Sequence, residues 1–246
     1  MKILVPFKAV PDPDAVIPGR GEFADVKWMI NPFDSIALEE ALQIRDRGDA
    51  TEVVAVTIGP PRIEEQVRVA LAMGVERATR VDESRTIDPY FIAHLLRAVV
   101  ARDTPGFVIM GKQAVDDDCN QVGQMLAGLL DWPQATFVSA IEIIDAGRRA
   151  RCTRETDSGL QVVEISLPAV ITTDLRLNEP RYVSLPGLIR ARGKPIETIA
   201  SDELLTDVQP RTRVIRNDRA PSRPQGTQVE SATELLTKLR EEAQAI

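Results

Sequence analysis

Short apolar runs alternate with amphipathic stretches along the first 130 residues of the chain. The apolar runs, typical of buried strands, lie at 2–7, 53–58, 77–81 and 107–110. The helical patterns lie at 31–48, 68–73, 89–102 and about 118–130. Strands separated by helices form parallel sheets that are covered on both faces. The predicted fold class is therefore α/β, a doubly wound, mostly parallel three-layer sheet.

The pattern changes after residue 132. Strand-like stretches follow at 136–144, 150–156, 160–167 and 168–173. The sequence DSG at 157–159 is typical of a hairpin turn, so a late antiparallel ribbon is expected beside the parallel strands. A helix is expected at about 186–192. The segment 9–21, rich in Pro, Asp and Gly, predicts a loop.

The segment 207–228 differs in composition from the rest of the chain. It holds five arginines against two aspartates, a net charge of +3, which leaves −10 on the remainder because the whole chain carries −7. It has too few apolar residues to fold alone. A helix at 231–245 with an apolar stripe follows it, so an extended arm plus helix is expected to contact a partner. The alternative is a tail folded back on its own domain.

The rare residue types narrow the function classes. One histidine, His94, excludes a multi-histidine metal site, and Cys119 and Cys152 are too far apart for a Cys-x-x-Cys pair. An acidic pI near 5.0 argues against nucleic acid or an anionic membrane as partner. Because a strand begins at once and no membrane-spanning run occurs, we expect a bacterial cytoplasmic protein, with a processed mitochondrial-matrix protein as the alternative. His94 is expected to be a surface or packing residue.

Three loops follow predicted strands at the carboxyl edge of the sheet, where doubly wound folds bind ligands. They span 6–13, 58–61 and 111–122, and neither GxGxxG nor a Walker A sequence is present. The third reads GKQAVDDDCNQV, with a glycine, a lysine and polar side chains ahead of a helix that can bind an anion. Its three aspartates are expected to cap the helix rather than bind Mg²⁺. Cys119 is expected to be a small packing residue.

Several stretches resemble the electron-transfer flavoprotein β subunit family. They are NPFD at 31–34, ALAMG at 70–74, GKQAVDDDCNQVG at 111–123 with DWP at 131–133, and LPAVITTDLRLNEPRY at 167–182. The resemblance implies a 1–200 nucleotide-binding domain and a 201–246 arm and helix that contact an α subunit. It implies an electron-carrier subunit rather than an enzyme, in a heterodimer that holds FAD mostly through α and AMP in β. Electrons would come from acyl-CoA and related dehydrogenases, as in fatty acid oxidation, and pass to a membrane quinone oxidoreductase.

The resemblance also implies which residues bind AMP. The AMP site would comprise Pro6, Asn31, Pro32, Phe33, Asp34, Ile58, Gly111, Lys112, Gln113, Ala114, Val115, Asp116, Asp117, Asp118, Cys119, Asn120, Gln121 and Val122. Backbone N–H groups of 119–122 would hold the phosphate. Electron-bifurcating relatives bind a second FAD in this place, and the DDDCN sequence at 116–120 resembles the AMP-binding type instead.

A recognition loop at 178–188 would dock the dehydrogenases. Within it, Tyr182, Leu185 and Pro186 match the family, and Leu185 would be the exposed anchor rather than a residue packed into its own helix start. Glu155 would pair with an arginine of the α subunit, and Phe33 would lie close to the isoalloxazine ring. The sequence VPDP at 10–13 lacks the tyrosine common in the family's early loop, which puts the usual aromatic contact with FAD in doubt.

Two other functions stay open at this point. One is the electron-bifurcating type with FAD in the AMP site. The other is a non-redox nucleotide-binding regulatory protein on a related α/β fold.

Overall fold

A nine-stranded sheet forms the centre of the molecule in a computed structural model, which describes residues 1–15, 26–216 and 225–246. The strands of the described residues, of which all but β2 and β3 belong to this sheet, are β1 Lys2–Pro6, β2 Ala9–Pro11, β3 Trp28–Ile30, β4 Glu52–Ile58, β5 Arg77–Asp82, β6 Phe107–Gly111, β7 Gln134–Ile144, β8 Arg149–Thr156, β9 Gly159–Ser166, β10 Val170–Thr173 and β11 Glu197–Ala200. The helices are α1 Pro32–Asp46, α2 Glu64–Met73, α3 Pro89–Asp103, α4 Val122–Leu130, α5 Leu185–Arg192, α6 Ser201–Leu204 and α7 Ala232–Glu241.

The strand order of the sheet is β11-β5-β4-β1-β6-β10-β7-β8-β9. Every neighbouring pair from β11 to β7 is parallel, and β7–β8 and β8–β9 are antiparallel. The chain thus winds outward from β1 in both directions, and the predicted α/β fold with a late antiparallel ribbon is confirmed. β2 and β3 pair as a separate small antiparallel sheet.

Alternating side chains of each central strand face opposite helix layers. On β1, Ile3 and Val5 pack with α1 and α2 on one face, whereas Leu4 packs with α3 and α4 on the other. Because both faces are covered, the central strands carry uninterrupted apolar runs instead of a polar-apolar alternation. The three-layer arrangement follows from this double burial.

The helix boundaries are set by the local chemistry of a few residues. Pro32 occupies the first position of α1, and α2 ends at Gly74, whose φ of 126° is unfavourable for other residues. Asp88 caps α3, since its side chain accepts a hydrogen bond from the Phe91 N–H at 2.9 Å.

Several sequence-based boundaries were wrong. The 9–21 loop contains the strand β2, and its residues beyond 15 lie outside the described residues. The fourth helix begins at Val122 and not near 118, since the backbone at Asp118 and Asn120 has positive φ. β3, β11 and α6 were not expected, because they are three or four residues long and carry little periodic signal.

The 201–246 segment is only partly attached to the sheet domain. Arg211 and Thr212 donate backbone N–H groups to the carboxylate of Asp88 at 2.6 and 2.8 Å. Of the arm's arginines, Arg219 and Arg223 lie outside the described residues. The predicted terminal helix is present as α7, capped by Ser231, and its Leu235 and Leu236 are exposed.

Candidate functional site

The loop 111–122 lies at the carboxyl edge of the sheet, where β1, β6 and β10 end side by side. Asn31 holds it there: its side-chain Nδ2 donates to the Gln113 carbonyl at 2.8 Å, and its Oδ1 accepts from the Val115 N–H at 3.1 Å. Asn31 occupies the N-cap position of α1 but makes no side-chain cap hydrogen bond. The side chain of Asn31 therefore braces the loop and does not cap the helix.

Asp34 joins the ends of two strands to the first turn of α1. Its buried carboxylate accepts the N–H groups of Lys8 and Gly111, each at 2.8 Å. Burial raises the pKa of this carboxyl to about 6, although these hydrogen bonds oppose the shift. A Cβ at Gly111 would lie 2.4 Å from Asp34 Oδ1, so only glycine allows this close approach. Asp34 therefore supports the loop from beneath.

The acidic triplet is paired with side chains and does not cap α4. Lys8 Nζ bonds Asp116 at 2.7 Å and Asp117 at 2.8 Å, and Gln113 bonds Asp118. Burial alone would lower the pKa of Lys8, but the two aspartates outweigh it and the pKa lies above its usual value. The expectation of capping was wrong, because α4 begins after a further turn and its N-cap, Gln121, makes no side-chain cap hydrogen bond.

Lys112 is also paired with a carboxylate. Its Nζ lies 2.6 Å from Asp174 Oδ2, and 5.3 and 4.8 Å from the ring centres of Phe33 and Phe137. The ammonium lowers the pKa of Asp174 below its usual value, against the effect of burial. Lys112, which was expected to face a bound anion, is thus paired within the chain and lies over the buried ring of Phe33.

The start of α4 supplies the groups that remain for an anion. The first N–H groups of a helix have no intrahelical acceptor, and here they belong to Val122 and the residues after it. Asp118 and Asn120, with φ of 53° and 49°, turn the loop into the helix. A Cβ at Gly123 would lie 2.5 Å from Thr172 Cγ2, so the first turn packs directly on β10.

The other predicted binding residues lie on neighbouring strands and in the same loop. Pro6 ends β1 and Ile58 ends the adjacent β4. Pro32 is buried to an intermediate degree at the start of α1, and Ala114 is similarly placed in the loop. Cys119 is exposed rather than packed, which corrects its expected role, and its N–H donates to Asp117 at 3.1 Å.

The recognition loop, 178–188, presents two large side chains to the solvent, whereas Val183 packs against the core. Leu185 is 71% exposed and Tyr182 is 96% exposed, so Leu185 is not packed into its own helix start. Ser184 caps α5 by accepting the Gly187 N–H at 3.2 Å, with Pro186 in the first turn. Leu185 is therefore an accessible side chain on an ordered backbone.

Glu155 lies on β8 and pairs within the chain. Its Oε1 accepts a hydrogen bond from Arg176 at 2.8 Å. Arg176 belongs to the same DLRLNEPRY stretch as the recognition loop. The sequence offered no signal for this partner, since the two residues are 21 positions apart.

His94 and Cys152 lie outside this loop, on α3 and β8. His94 is buried on α3 with its ring 4.5 Å from that of Tyr90, which confirms a packing role, and burial lowers its pKa. Cys152 is fully buried on β8, and burial raises its pKa to about 12. Within the described residues, no helix is long and apolar enough to cross a membrane, and no cluster of three metal-ligating side chains occurs.

Sequence reasoning missed the residues that hold the loop in place. Lys8 pairs with two aspartates of the loop, Asp174 pairs with Lys112, and Phe137 lies under Lys112. Thr173 ties β10 to α1 through its hydroxyl, which donates to the Phe33 carbonyl at 3.2 Å. Lys8 could have been found from the sequence, because it follows the end of the first strand by two residues. The roles of Asp174, Phe137 and Thr173 depend on tertiary contacts that the sequence does not show.

Comparison with known proteins shows the family of the chain. A family model described as the electron transfer flavoprotein domain matches residues 22–204. The electron transfer flavoprotein subunit beta of Bradyrhizobium diazoefficiens is 46% identical over 248 residues, 99% of each chain. The mitochondrial subunit beta of Oryza sativa subsp. indica is 46% identical over 255 residues and covers both chains fully. A probable subunit beta of Saccharomyces cerevisiae is 43% identical over 98% of this chain and 96% of its own. The chain therefore belongs to the electron transfer flavoprotein family and aligns with its beta subunits from end to end.

Proposed function

We propose that this chain is the β subunit of a heterodimeric electron-transfer flavoprotein. It would accept electrons from acyl-CoA and related dehydrogenases through FAD held mainly by an α subunit, and pass them to a quinone oxidoreductase. The observation that carries this proposal is the braced loop 111–122 at the carboxyl edge of the sheet, in a chain of this family. Its bacterial and mitochondrial relatives support a bacterial cytoplasmic or mitochondrial-matrix location.

The loop fits a mononucleotide whose phosphate is bound by backbone groups. Both nearby lysines, Lys8 and Lys112, are paired with carboxylates, so the phosphate would be held by backbone N–H groups of 119–122, which lead into α4. Of these, the Cys119 N–H donates to Asp117 in this structure and would have to exchange that acceptor for the phosphate. Asn31 and Asp34 would keep the loop in the binding conformation, and Pro6 and Ile58 would border the sugar and base. We therefore assign AMP a structural role in this chain, in which it stabilises the fold by mass action.

The titratable groups at the site are used for structure, which suits a carrier subunit rather than an enzyme. Asp34 accepts two backbone N–H groups, and Lys8 bridges two aspartates. The flavin supplies the redox chemistry when it is bound to the heterodimer. The contributions we assign to Phe33, near the isoalloxazine, and to Glu155, towards an arginine of the α subunit, stay predictions; here Glu155 pairs with Arg176.

The recognition loop and the arm would serve the two protein partners. Leu185, exposed on a capped helix start, would enter a groove of the dehydrogenase, with Tyr182 and Pro186 beside it. The 201–246 segment would contact the α subunit through α7, whose leucines are exposed in this single chain. The division into a 1–200 domain and this arm is part of the proposal.

Co-expression with the α subunit tests the electron-transfer function. The purified heterodimer should show a flavin absorption spectrum that an acyl-CoA dehydrogenase and its substrate bleach, and that a quinone oxidoreductase restores. Leu185→Ala should slow the bleaching while flavin content is unchanged. A heterodimer that binds flavin but is not reduced by any acyl-CoA dehydrogenase would contradict the proposal.

Thermal unfolding of the nucleotide-stripped heterodimer tests the bound nucleotide. Added AMP should raise the unfolding midpoint, and adenosine should raise it much less because it lacks the phosphate that the N–H groups bind. An equal or larger rise with FAD would favour the electron-bifurcating alternative. Family membership argues against the non-redox regulatory alternative.

A further inference from the structure

The backbone before Leu185 is fastened to α1 by a buried carboxylate. Arg181 donates from its Nε to Glu39 Oε2 at 2.8 Å and from Nη2 to Oε1 at 3.1 Å, and its backbone N–H also bonds Glu39 at 3.1 Å. Glu39 is only 4% exposed. Burial disfavours the charged form of Glu39, but the bonds from Arg181 and Gln43 outweigh it and hold its pKa below the usual value.

A second glutamate on α1 holds the start of the same loop. Asn178 donates from its Nδ2 to Glu40 Oε2 at 3.2 Å and to the Ile36 carbonyl at 3.1 Å. Glu40 is also 4% exposed. Residues 178–181 are therefore tied to consecutive side chains of one rigid helix, which limits the conformations open to the loop.

The segment after Leu185 is held against α2. Ser184 caps α5, and a Cβ at Gly187 would lie 3.1 Å from the Ala72 carbonyl oxygen, so the two helices approach closely. Arg68 of α2 donates to the Ala191 carbonyl at 2.9 Å near the end of α5. Tyr182 and Leu185 thus lie between two anchored segments, and both are largely exposed.

We infer that Glu39 and Glu40 are positioning residues, which hold the recognition loop in its docking conformation through Arg181 and Asn178. This inference rests on the proposed docking role of Leu185. Glu39 is buried, and its charge-assisted, two-pronged pair with the partly exposed Arg181 holds the loop backbone in one geometry beside the exposed Tyr182 and Leu185. Binding to an ordered loop avoids the conformational entropy lost on docking, so the pairs should act on affinity for the dehydrogenase.

The test uses the complete heterodimer as the substrate of an acyl-CoA dehydrogenase. Glu39→Gln should raise the KM for the heterodimer about fivefold with little change in kcat, since ordering a few side chains accounts for such a factor. Arg181→Lys, which keeps the charge but not the two-pronged geometry, should have a smaller effect. Glu52→Gln removes a more exposed glutamate–arginine pair away from the recognition loop, with Arg77 at 2.6 Å between β4 and β5, and should leave the KM unchanged.

A combined variant separates positioning from general destabilisation. Once Leu185→Ala has removed the anchor, Glu39→Gln should change the KM less than twofold, whereas a loss of overall stability would act equally in both backgrounds. Amide hydrogen exchange at 182–188 should accelerate in Glu39→Gln, with flavin content unchanged. If Glu39→Gln does not assemble, Asn178→Ala gives the same readouts from the loop side.

The outcomes distinguish the inference from the proposed function. A raised KM in Leu185→Ala but not in Glu39→Gln or Asn178→Ala would overturn the positioning role and leave docking intact. An unchanged KM in Leu185→Ala would overturn both. Equal effects of Glu39→Gln in the two backgrounds would show that Glu39 serves the fold alone.

Discussion

Asp34 should make the stability of the chain depend on pH in a narrow and unusual window. Its carboxyl ionises near 3.8 when exposed and at about 6 in the folded chain, because burial outweighs the N–H groups of Lys8 and Gly111. Between these values the folded chain binds more protons than the unfolded chain. The stabilising contribution of Asp34 is therefore complete below about pH 4 and is lost as the pH rises through 6.

The magnitude follows from the two ionisation points. Lowering the pH from 7 to 5 should increase the free energy of unfolding by about 1 kcal/mol from Asp34 alone. His94 should lower the free energy of unfolding as the pH falls, because burial lowers its pKa and favours its neutral form in the folded chain. Acidic residues with a lowered pKa, such as Glu83 with a pKa of about 2, change the stability at lower pH.

Comparison with Asp34→Asn isolates this contribution, since His94 is present in both proteins. Urea unfolding is followed by circular dichroism at pH 5 and pH 7. The free energy of unfolding of the wild type minus that of the variant should be about 1 kcal/mol larger at pH 5 than at pH 7. Carbon-13 labelling of aspartate should show one carboxyl that titrates near 6 in the wild type only. A constant difference between the proteins, or no carboxyl titrating above 5, would refute the structural reasoning.

Three further predictions concern other contacts of the site and the arm. Gly111→Ala should destabilise the chain by about 1–3 kcal/mol in urea unfolding, because the new Cβ would overlap Asp34, and an unchanged midpoint would contradict the packing described. Asp88→Ala removes the α3 cap and both N–H contacts from the arm. Trypsin should therefore cut 207–228 faster in the variant than in the wild type when both are compared at the same folded fraction. Equal cleavage rates would show that Asp88 does not hold the arm. Cys119 should react with a thiol reagent in the folded chain, whereas Cys152 should react only on unfolding. Added AMP should slow the reaction of Cys119. A reaction rate that does not depend on AMP would count against the loop as the AMP site.

The sheet domain was predictable because its strands carry continuous apolar runs. VVAVTI at 53–58 and FVIM at 107–110 are buried on both faces, and the helices between them keep a regular apolar spacing. The short elements β3 and β11 escaped prediction, since three or four residues show the two-residue alternation of a strand at most twice. Their pairing depends on strands far away in the sequence.

The candidate site was predictable in place but not in its internal contacts. Strand ends and a glycine-started loop located residues 111–122 correctly at the carboxyl edge of the sheet. The sequence could not show that Asn31 braces that loop instead of capping α1, because both roles need the same side chain. Nor could it show that Lys8 would neutralise the acidic triplet, a contact across 108 positions of sequence.

The nucleotide content of the purified heterodimer tests the central claim most directly. Denaturation of the complex with its α subunit, followed by chromatography of the released nucleotides, should give one AMP and one FAD for each heterodimer. Asn31→Ala should lower the AMP value and leave the FAD value unchanged, because Asn31 braces only the loop of this chain. Two FAD and no AMP, or equal loss of both nucleotides in Asn31→Ala, would contradict the account.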